Sequence, residues 1–384
     1  MRSCPSVFSQ NNTQSRIEAE TVSEALVGFA KSLAKENGSR GATVNLIRDA
    51  CLATTDDGSS AANDDDDDDD DESGKGPLQW FLSSQSCYVT GQEMVVTDVT
   101  DKSQFTRKQS NADEGAVMIT GAAGAIGKAT AEFLHADQQH GPEKPTGPKK
   151  FLLIDHPSVE SKLNQLAESL INKSLGGPYA SSPAVEVLPL DVTQEDAGEI
   201  VANAGMEMGG VERVIHAAGI TRDKTLRKMD YESSWRPVLK VNLEASFSVD
   251  QALLSAPGAL WNTMNGASSS ASFVYISSTS GIAGNAGQTN YAASKSGLLG
   301  YAKAMSDVYP QHRFHVVSPG FIETEMTQKM PFLVRLVASR LNALGQAGQP
   351  EDVAAAIAFL SSRDAIGLAK GSNLRVCGLF IGGR

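Results

Sequence analysis

The pattern of hydrophobic and polar positions changes near residue 110. From residue 115 onward, short β-branched or apolar runs alternate with longer stretches of helical periodicity. The runs are Val117–Thr120, Phe151–Ile154, Val185–Leu190, Val211–Ile215, Phe273–Ile276, Phe314–Val317 and Leu374–Val376. Such alternation is typical of a parallel sheet whose strands are joined by crossover helices. We therefore predict one α/β domain over residues 111–384, a doubly wound parallel sheet of seven strands.

The first 110 residues contain two short matches to the later part of the chain. Ala25–Leu33 reads ALVGFAKSL where Gly297–Met305 reads GLLGYAKAM, and the FLSS of residues 81–84 recurs at residues 359–362. Both matches run in the same order, which predicts that residues 14–100 are a partial, degenerate copy of the last third of the later fold. Coincidence is the alternative, since these residue types are common. The copy has no glycine loop, so we expect a structural or dimerising unit that binds no nucleotide by itself.

One acidic tract dominates the charge of the chain. The formal net charge is −12, and the eleven acids between Asp56 and Glu72 are accompanied by no Lys or Arg; without them the net charge is −1. Like-charge repulsion and low complexity predict a disordered linker at about residues 54–76, with a cation or basic-partner site as the alternative. The nearly neutral remainder argues against a nucleic-acid-binding protein. Two Pro- and Gly-containing insertions, residues 136–148 and 176–183, are interpreted as lengthened surface loops.

Hydropathy and cysteine usage restrict the protein class further. Mean hydropathy is −0.21, and no apolar run approaches the roughly 18 residues that a membrane span needs. The four cysteines are far apart and form no metal-binding pattern, so we expect a reduced, intracellular protein without metal. The cytoplasm is favoured. Met1–Arg16 contains several serines and no acid, which leaves open a plastid or mitochondrial leader or a truncated start.

A glycine-rich turn follows the first predicted strand of the sheet. Val117–Lys128 reads VMITGAAGAIGK, a strand leading into a tight turn and a helix start. Small residues there let the backbone approach a pyrophosphate, whose charge the helix N-terminus favours. A plain strand-to-helix turn is the alternative. The second strand favours the nucleotide, because it ends at Asp155, 34 residues after Gly121, where a carboxylate can accept hydrogen bonds from the adenosine ribose.

The same carboxylate bears on the choice of cofactor. Asp155 would repel a 2′-phosphate, and the glycine loop contains no Arg to receive one. We therefore expect NAD(H) rather than NADP(H). Lys128, Lys149 and Lys150 lie near enough in sequence to keep NADP(H) open, although solvated surface lysines are the simpler interpretation.

Candidate chemistry appears after the fifth predicted strand. Tyr291 and Lys295 stand one helical turn apart in YAASK, so both side chains project from one face of a helix. A fixed ammonium should lower the pKa of a phenol and make the pair a tunable acid and base. Ser278 lies thirteen positions upstream, directly after the strand, where its hydroxyl can bond a substrate carbonyl. A serine-rich turn is the alternative for that residue alone.

Several segments together carry a family resemblance. The loop TGAAGAIG, the block from SSTSG to YAASK, and Pro319-Gly320 resemble the short-chain dehydrogenase/reductase family, whose fold is a seven-stranded Rossmann sheet. HAAGITRDKTL, GNAGQTNYAASKSG, SPGFIETEMT and LGQAGQPEDVAAAIAFL resemble its 3-oxoacyl-[acyl-carrier-protein] reductases. The resemblance covers residues 115–378. The ending RVCGLFIGGR and the preceding partial copy are similar to the two-domain, high-molecular-weight members, here with a shortened N-terminal unit.

The resemblance implies a role for each matching residue. Ser278 would polarise a 3-keto oxygen, Tyr291 would protonate it, Lys295 would hold the nicotinamide ribose and lower the pKa of Tyr291, and Asn242 would position a water. The expected cofactor contacts are Gly121, Gly124, Ala125, Ile126 and Gly127 at the pyrophosphate, Asp155 at the ribose, Asp191 and Val192 at the adenine, Ala217, Ala218 and Gly219 on the adenosine side, Tyr291 and Lys295 at the nicotinamide ribose, and Pro319, Gly320, Ile322 and Thr324 at the carboxamide.

Two residues depart from the family pattern. Ala125 replaces the middle loop glycine, and His216 begins HAAG where the family has Asn-Asn-Ala-Gly. A histidine that ends a buried strand is usually structural, and we interpret His216 in that way, with a catalytic role as the alternative.

The implied activity is reduction of 3-oxoacyl thioesters, on acyl carrier protein or coenzyme A, to 3-hydroxyacyl thioesters. A steroid or another secondary alcohol as substrate, or a non-catalytic nucleotide-binding scaffold, are the alternatives. The resemblance also implies a homodimer or homotetramer.

Overall fold

A parallel seven-stranded sheet forms the centre of the main domain. The computed structural model describes residues 7–49, 75–97, 115–137, 150–173, 183–261, 270–328 and 332–379. The sheet contains β3 (Ala116–Thr120), β4 (Lys150–Asp155), β5 (Ala184–Pro189), β6 (Val211–His216), β7 (Ser272–Ile276), β8 (Arg313–Pro319) and β9 (Asn373–Val376) in the order β5-β4-β3-β6-β7-β8-β9. All neighbouring pairs are parallel. The predicted fold class and all seven predicted strands are confirmed.

Helices cover both faces of this sheet. They are α3 (Ala125–Asp137), α4 (Glu160–Lys173), α5 (Ala197–Glu207), α6 (Arg236–Leu239), α7 (Ala245–Ser255), α8 (Thr279–Ala283), α9 (Thr289–Val308), α10 (Glu325–Gln328), α11 (Phe332–Arg340) and α12 (Pro350–Ser361). Every residue of β3 is buried, with Val117 and Ile119 in the core that contains α12 and Met118 in the core that contains α7 and α9. Burial on both faces explains why the inner strands β3, β4 and β7 are nearly continuous apolar runs, whereas the edge strand β5 is partly exposed.

The strand order reverses between β3 and β6. Chain segments leave β3 toward β4 on one side and β6 toward β7 on the other, which opens a crevice at the carboxyl ends of these strands. Open α/β sheets bind ligands at such a switch point. The glycine turn after β3 therefore lies beside the ends of β4 and β6.

The N-terminal unit consists of α1 (Val7–Asn37), β1 (Leu46–Asp49), α2 (Lys75–Leu82) and β2 (Glu93–Val96). Its two strands pair in parallel. It packs against the main domain through Trp80, whose ring stacks on Phe359 of α12 at 4.7 Å between centroids. Val96 also forms an antiparallel bridge with Leu368. The aromatic stack and the bridge join the two parts into one packed structure.

Some sequence-based expectations fall outside the described residues. Residues 54–74 of the predicted acidic linker are among them, whereas Lys75 and Gly76 at its predicted end begin α2. The predicted insertions lie largely outside as well. Within the described part of the chain, no helix combines the length and the apolar character needed to cross a bilayer.

Candidate active site

The glycine turn after β3 forms a cradle that only small residues permit. Gly121 has a φ of +68°, and a Cβ on it would lie 2.5 Å from the Ala218 backbone nitrogen. A Cβ on Gly127 would overlap the Gly121 carbonyl oxygen. The Lys128 N–H donates to the Gly124 carbonyl at 2.8 Å, which is the bond that starts the ladder of α3. The preceding N–H groups of Ala125, Ile126 and Gly127 are thus the leading donors of a helix and suit a pyrophosphate.

Asp155 ties the second strand to this turn. Its Oδ2 accepts the Ala123 N–H at 2.9 Å, and its Oδ1 accepts the His156 N–H at 2.7 Å. The carboxylate therefore stands beside the glycine turn, where a ribose next to a bound pyrophosphate would lie. The long spacing from Gly121 arises because α3 ends at Asp137 and β4 begins only at Lys150.

The residues expected at the adenine and adenosine lie at the ends of β5 and β6. A cavity of about 360 Å³ opens beside Val192 and is also lined by Thr193 and Lys240. Burial would raise the pKa of Asp191, but hydrogen bonds from the Thr193 hydroxyl and N–H, at 2.7 and 2.9 Å, lower it overall. The carboxylate is therefore a fixed negative charge on the adenosine side.

Ser278, Tyr291 and Lys295 lie together at the carboxyl end of β7. The Ser278 side chain lies near enough to the Tyr291 hydroxyl to lower its pKa, and Lys295 Nζ lies 5.7 Å from the centroid of the Tyr291 ring. Ser278 is held as the N-cap of α8, where its Oγ accepts the Ser280 N–H at 3.1 Å. Lys295 is 4% exposed and donates to the Ile276 carbonyl oxygen at 2.7 Å. Two hydroxyls and one buried amine thus face the crevice beside the glycine turn.

The pKa values correct one expectation. We expected Lys295 to lower the pKa of Tyr291, but burial raises it, and the hydrogen bond from Ser278 offsets this only in part. Asp223 raises it further. Burial also lowers the pKa of Lys295 to about 8. The reason is common to both groups: a dry pocket disfavours the charged form, phenolate in one case and ammonium in the other. In this structure Tyr291 is a protonated phenol at neutral pH.

Asn242 lies in a π-helical turn, Lys240–Glu244, between α6 and α7. Its Oδ1 accepts the Ile220 N–H at 2.8 Å, and its Nδ2 donates to the Ile220 carbonyl at 3.0 Å and to Ser294 Oγ at 3.1 Å. A Cβ on Gly219 would lie 3.3 Å from Lys295 Nζ and 3.4 Å from Asn242 Oδ1. Lys295 and Asn242 therefore both pack close to Gly219, and the bonds from Asn242 to Ile220 hold the backbone there.

The segment from Pro319 to Thr324 closes the crevice from the side of β8. The Gly320 N–H donates to the Val376 carbonyl at 2.9 Å, and Ile322 is 4% exposed. The side chain of Thr327 caps the segment by donating to the Ile322 carbonyl at 2.9 Å. All the residues expected at the carboxamide thus belong to one braced stretch of backbone.

Known proteins are similar to this chain in sequence and in fold. A family model described as Enoyl-(Acyl carrier protein) reductase matches residues 165–378. The 3-oxoacyl-[acyl-carrier-protein] reductase FabG of Thermotoga maritima is 39% identical over 253 residues, which cover 65% of this chain and 91% of that protein. This chain belongs to the short-chain dehydrogenase/reductase family.

Two further relatives differ in how much of this chain they match. The (3R)-3-hydroxyacyl-CoA dehydrogenase of Mus musculus is 41% identical over 167 residues, 43% of this chain and 61% of that protein. A crystal structure of a short-chain dehydrogenase/reductase from Brucella melitensis has a TM-score of 0.57 and 27% identity, and covers 69% of this chain and 95% of that one. The relatives are named as oxidoreductases, and this chain is an oxidoreductase of the same family.

A buried polar network surrounds Asp250, and the sequence alone did not predict it. Asp250 is fully buried and bonds His216 Nε2 at 2.8 Å and the Tyr275 hydroxyl at 2.6 Å. The His216 ring also stacks on Tyr275 at 5.3 Å. These contacts support the structural interpretation of His216. The available signal was an acid in the apolar stretch Ala245–Ser255, but nothing local identifies its partners.

A second group that was missed orients the first turn of α9. Asn290 Oδ1 accepts the Tyr291 N–H at 2.8 Å, while its Nδ2 donates to the Ser234 carbonyl at 2.8 Å. Gln288 accepts from Ser280 Oγ at 3.1 Å and donates to Asp223 at 2.8 Å. The polar stretch Gln288–Asn290 immediately before Tyr291 was visible in the sequence and was not used.

Proposed function

We propose that this protein reduces 3-oxoacyl thioesters, carried on acyl carrier protein or coenzyme A, to 3-hydroxyacyl thioesters. The observation that carries the proposal is the grouping of Ser278, Tyr291 and the buried Lys295 at the carboxyl end of β7, at the same sheet edge as the glycine turn. The names of the Thermotoga maritima and Mus musculus relatives, which differ in carrier, support this substrate class.

The residues of the crevice fit a nicotinamide dinucleotide. The overlap that a Cβ on Gly127 would cause with the Gly121 carbonyl shows that the first turn of α3 packs directly on the glycine turn, which places the leading N–H groups of α3 beside that turn. Asp155 and Gly121–Gly127 would hold the ribose and pyrophosphate, and Pro319–Thr324 would seat the carboxamide end. When bound, the dinucleotide supplies the hydride that forms the new C–H bond at C3 of the acyl chain.

The chain's own residues would manage the proton. The Ser278 hydroxyl would donate to the substrate keto oxygen and hold it near Tyr291. As that oxygen gains negative charge, the Tyr291 hydroxyl would transfer its proton to it. A phenol whose pKa is raised by burial is protonated at neutral pH, which suits the donor role in reduction. Lys295 would contact the nicotinamide ribose. Asn242, which is bonded to the Ile220 backbone, would hold the neighbouring Gly219 in place beside Lys295.

We propose NAD(H) as the preferred cofactor. Asp155 supports this choice, because a carboxylate anchored to the Ala123 N–H cannot move away from a 2′-phosphate without breaking that bond. Titration of the protein with NADH and NADPH, followed by calorimetry, tests it. We expect NADH to bind at least tenfold more tightly, and equal affinities would contradict the assignment.

Turnover tests the chemistry. Purified protein is mixed with acetoacetyl-CoA and either reduced cofactor, and the loss of nicotinamide absorbance is followed. Tyr291→Phe should reduce turnover by roughly 10²- to 10⁴-fold while cofactor affinity stays within a factor of three. The matched control is Tyr309→Phe, at the far end of the same helix, which should retain wild-type turnover.

Each contrary result has a defined meaning. Near wild-type activity of Tyr291→Phe would refute the role of the phenol. A folded wild-type protein that binds cofactor but turns over only a steroid or another secondary alcohol would change the substrate class. Cofactor binding without turnover of any of these compounds would leave a nucleotide-binding scaffold.

We also propose that residues 1–110 are a shortened second copy of the fold. The order α1-β1-α2-β2, with β1 and β2 parallel, matches α9-β8-α12-β9 apart from the helices α10 and α11, which lie between β8 and α12; β8 and β9 are also parallel. Ser83 and Ser362 also cap equivalent 3₁₀ turns after α2 and α12. In solution we propose a homodimer or homotetramer, which light scattering of the full chain would measure.

A further inference from the structure

We propose that Tyr88, in the N-terminal unit, is a positioning residue for the segment Pro319–Thr324 of the main domain. The inference rests on the proposed function, in which this segment seats the nicotinamide end of the cofactor. It gives a role in the active site to a unit that has no glycine loop of its own. Three sets of contacts around Tyr88 support this role: those of its hydroxyl, its ring and its backbone carbonyl.

Tyr88 is anchored in the main domain by its hydroxyl. The side chain is 2% exposed, and its Oη donates to the Gln346 carbonyl at 2.9 Å. Asn342 Nδ2 donates to Tyr88 Oη at 3.2 Å and to the same Gln346 carbonyl at 2.7 Å. Burial raises the pKa of Tyr88, so the hydroxyl stays protonated and remains a donor. These bonds join residue 88 to positions more than 250 residues later in the chain.

The Tyr88 ring packs against the partner of the segment. A Cβ on Gly348 would overlap Tyr88 Cε1 and would lie 2.6 Å from Ile322 Cδ1. Gly348 in turn forms a parallel bridge with Ile322: its N–H donates to the Phe321 carbonyl at 3.0 Å, and its carbonyl accepts the Glu323 N–H at 2.9 Å. The ring therefore packs on Gly348, whose backbone bonds to Phe321 and Glu323 hold Ile322 in position.

The Tyr88 backbone braces the segment from its other side. The Tyr88 carbonyl accepts the Gly378 N–H at 3.2 Å. Cys377, the residue before Gly378, packs closely on Gly320, where an added Cβ would lie 2.6 Å from Cys377 Cβ. One residue of the N-terminal unit thus supports both neighbours of the segment, at Gly320 and at Ile322.

Loss of this support should weaken cofactor binding before it affects the chemical step. The hydrogen bonds of Tyr88 within the described residues involve Gln346, Asn342 and Gly378 rather than Ser278, Tyr291 or Lys295, whereas both of its supports lead to Pro319–Thr324. Interface packing must be separated from this effect. Trp80 provides that control, because it is a buried aromatic residue of the same unit that stacks on Phe359 of α12 instead of bracing the segment.

The experiment compares five variants of the full-length protein: Tyr88→Phe, Tyr88→Ala, Gly348→Ala, the double variant Tyr88→Ala/Gly348→Ala and the control Trp80→Leu. Affinity for NADH and NADPH is measured by calorimetry, folding by circular dichroism, and the KM for cofactor separately from kcat. We expect Tyr88→Ala to raise the cofactor Kd and KM at least tenfold with kcat within a factor of three, and Tyr88→Phe to raise them about threefold. Trp80→Leu should lower stability and leave the Kd within a factor of two.

The double variant tests the contact itself. Gly348→Ala alone should raise the Kd, because its methyl group overlaps the Tyr88 ring. In the Tyr88→Ala background the same methyl should raise the Kd by a smaller factor, since the overlap with the ring is gone and only the contact with Ile322 Cδ1 remains. If Tyr88→Ala fails to fold, Tyr88→Phe and Gly348→Ala decide the question through the same Kd measurement.

Three results would overturn the inference. The first is wild-type Kd and KM in Tyr88→Ala, or in both Tyr88→Phe and Gly348→Ala where Tyr88→Ala does not fold. The second is an equal effect of Gly348→Ala in both backgrounds. The third is a wild-type protein that binds neither dinucleotide, which would overturn the proposed function as well. The first two leave the proposed function standing, so the two failures are distinguishable.

Discussion

Replacing Lys295 by methionine should make the protein inactive. At neutral pH it should also remove the free-energy cost of burying a charged ammonium in the folded protein. The lysine is 4% exposed, and burial lowers its pKa from 10.5 to about 8. Between these two values the unfolded chain holds a proton that the folded protein has released. Stability therefore rises with pH in this window, and the whole penalty is present below about pH 8.

The size of the penalty follows from the pKa. A tenfold change in proton affinity corresponds to about 1.4 kcal/mol, so the difference between 10.5 and about 8 corresponds to about 3 kcal/mol. It should fall to about 1.5 kcal/mol at about pH 9.5, where both states are partly deprotonated. The variant also loses the bond from Nζ to the Ile276 carbonyl at 2.7 Å, so its stability at a single pH mixes two effects. The change with pH isolates the ionisation.

Urea unfolding at about pH 6.5 and about pH 9.5 measures this change. Relative to Lys295→Met, the wild type should gain about 2 kcal/mol between the two conditions. Lys303→Met is the control, because Lys303 is an exposed lysine on the same helix and its replacement removes the same formal charge. A gap between wild type and Lys295→Met that stays constant with pH would refute the assignment of a depressed pKa to this lysine.

Two further substitutions test the cradle and the buried network. Gly127→Ala should raise the dinucleotide Kd more than tenfold in calorimetry, because its Cβ overlaps the Gly121 carbonyl, whereas Gly300→Ala, at a helical glycine with open space around it, should leave binding unchanged; equal effects would argue against the cradle. Asp250→Asn should cost about 3 kcal/mol in urea unfolding, because it weakens the fully buried pair with His216. Asp307→Asn, at an exposed pair with Lys370, should cost less than about 1 kcal/mol, and a similar loss at both sites would contradict the importance of burial.

Local patterns predicted most of the fold and the positions of the candidate site residues. Runs of three to six mainly apolar or β-branched residues identified all seven strands, because strands in a sheet covered by helices on both faces need many apolar side chains. The spacing of Tyr291 and Lys295 placed both on one face of a helix, since four residues make about one turn. Their convergence with Ser278 followed from the rule that parallel strands end at one edge of the sheet.

The tertiary structure decided what depends on burial and on contacts between distant residues. The pKa of Tyr291 is raised rather than lowered, because desolvation in the folded pocket is the largest effect on it. The partners of Asp250 lie 25 and 34 residues away, and those of Tyr88 more than 250. Sequence periodicity describes one element at a time, so it contains no information on such pairs; only packing brings them together.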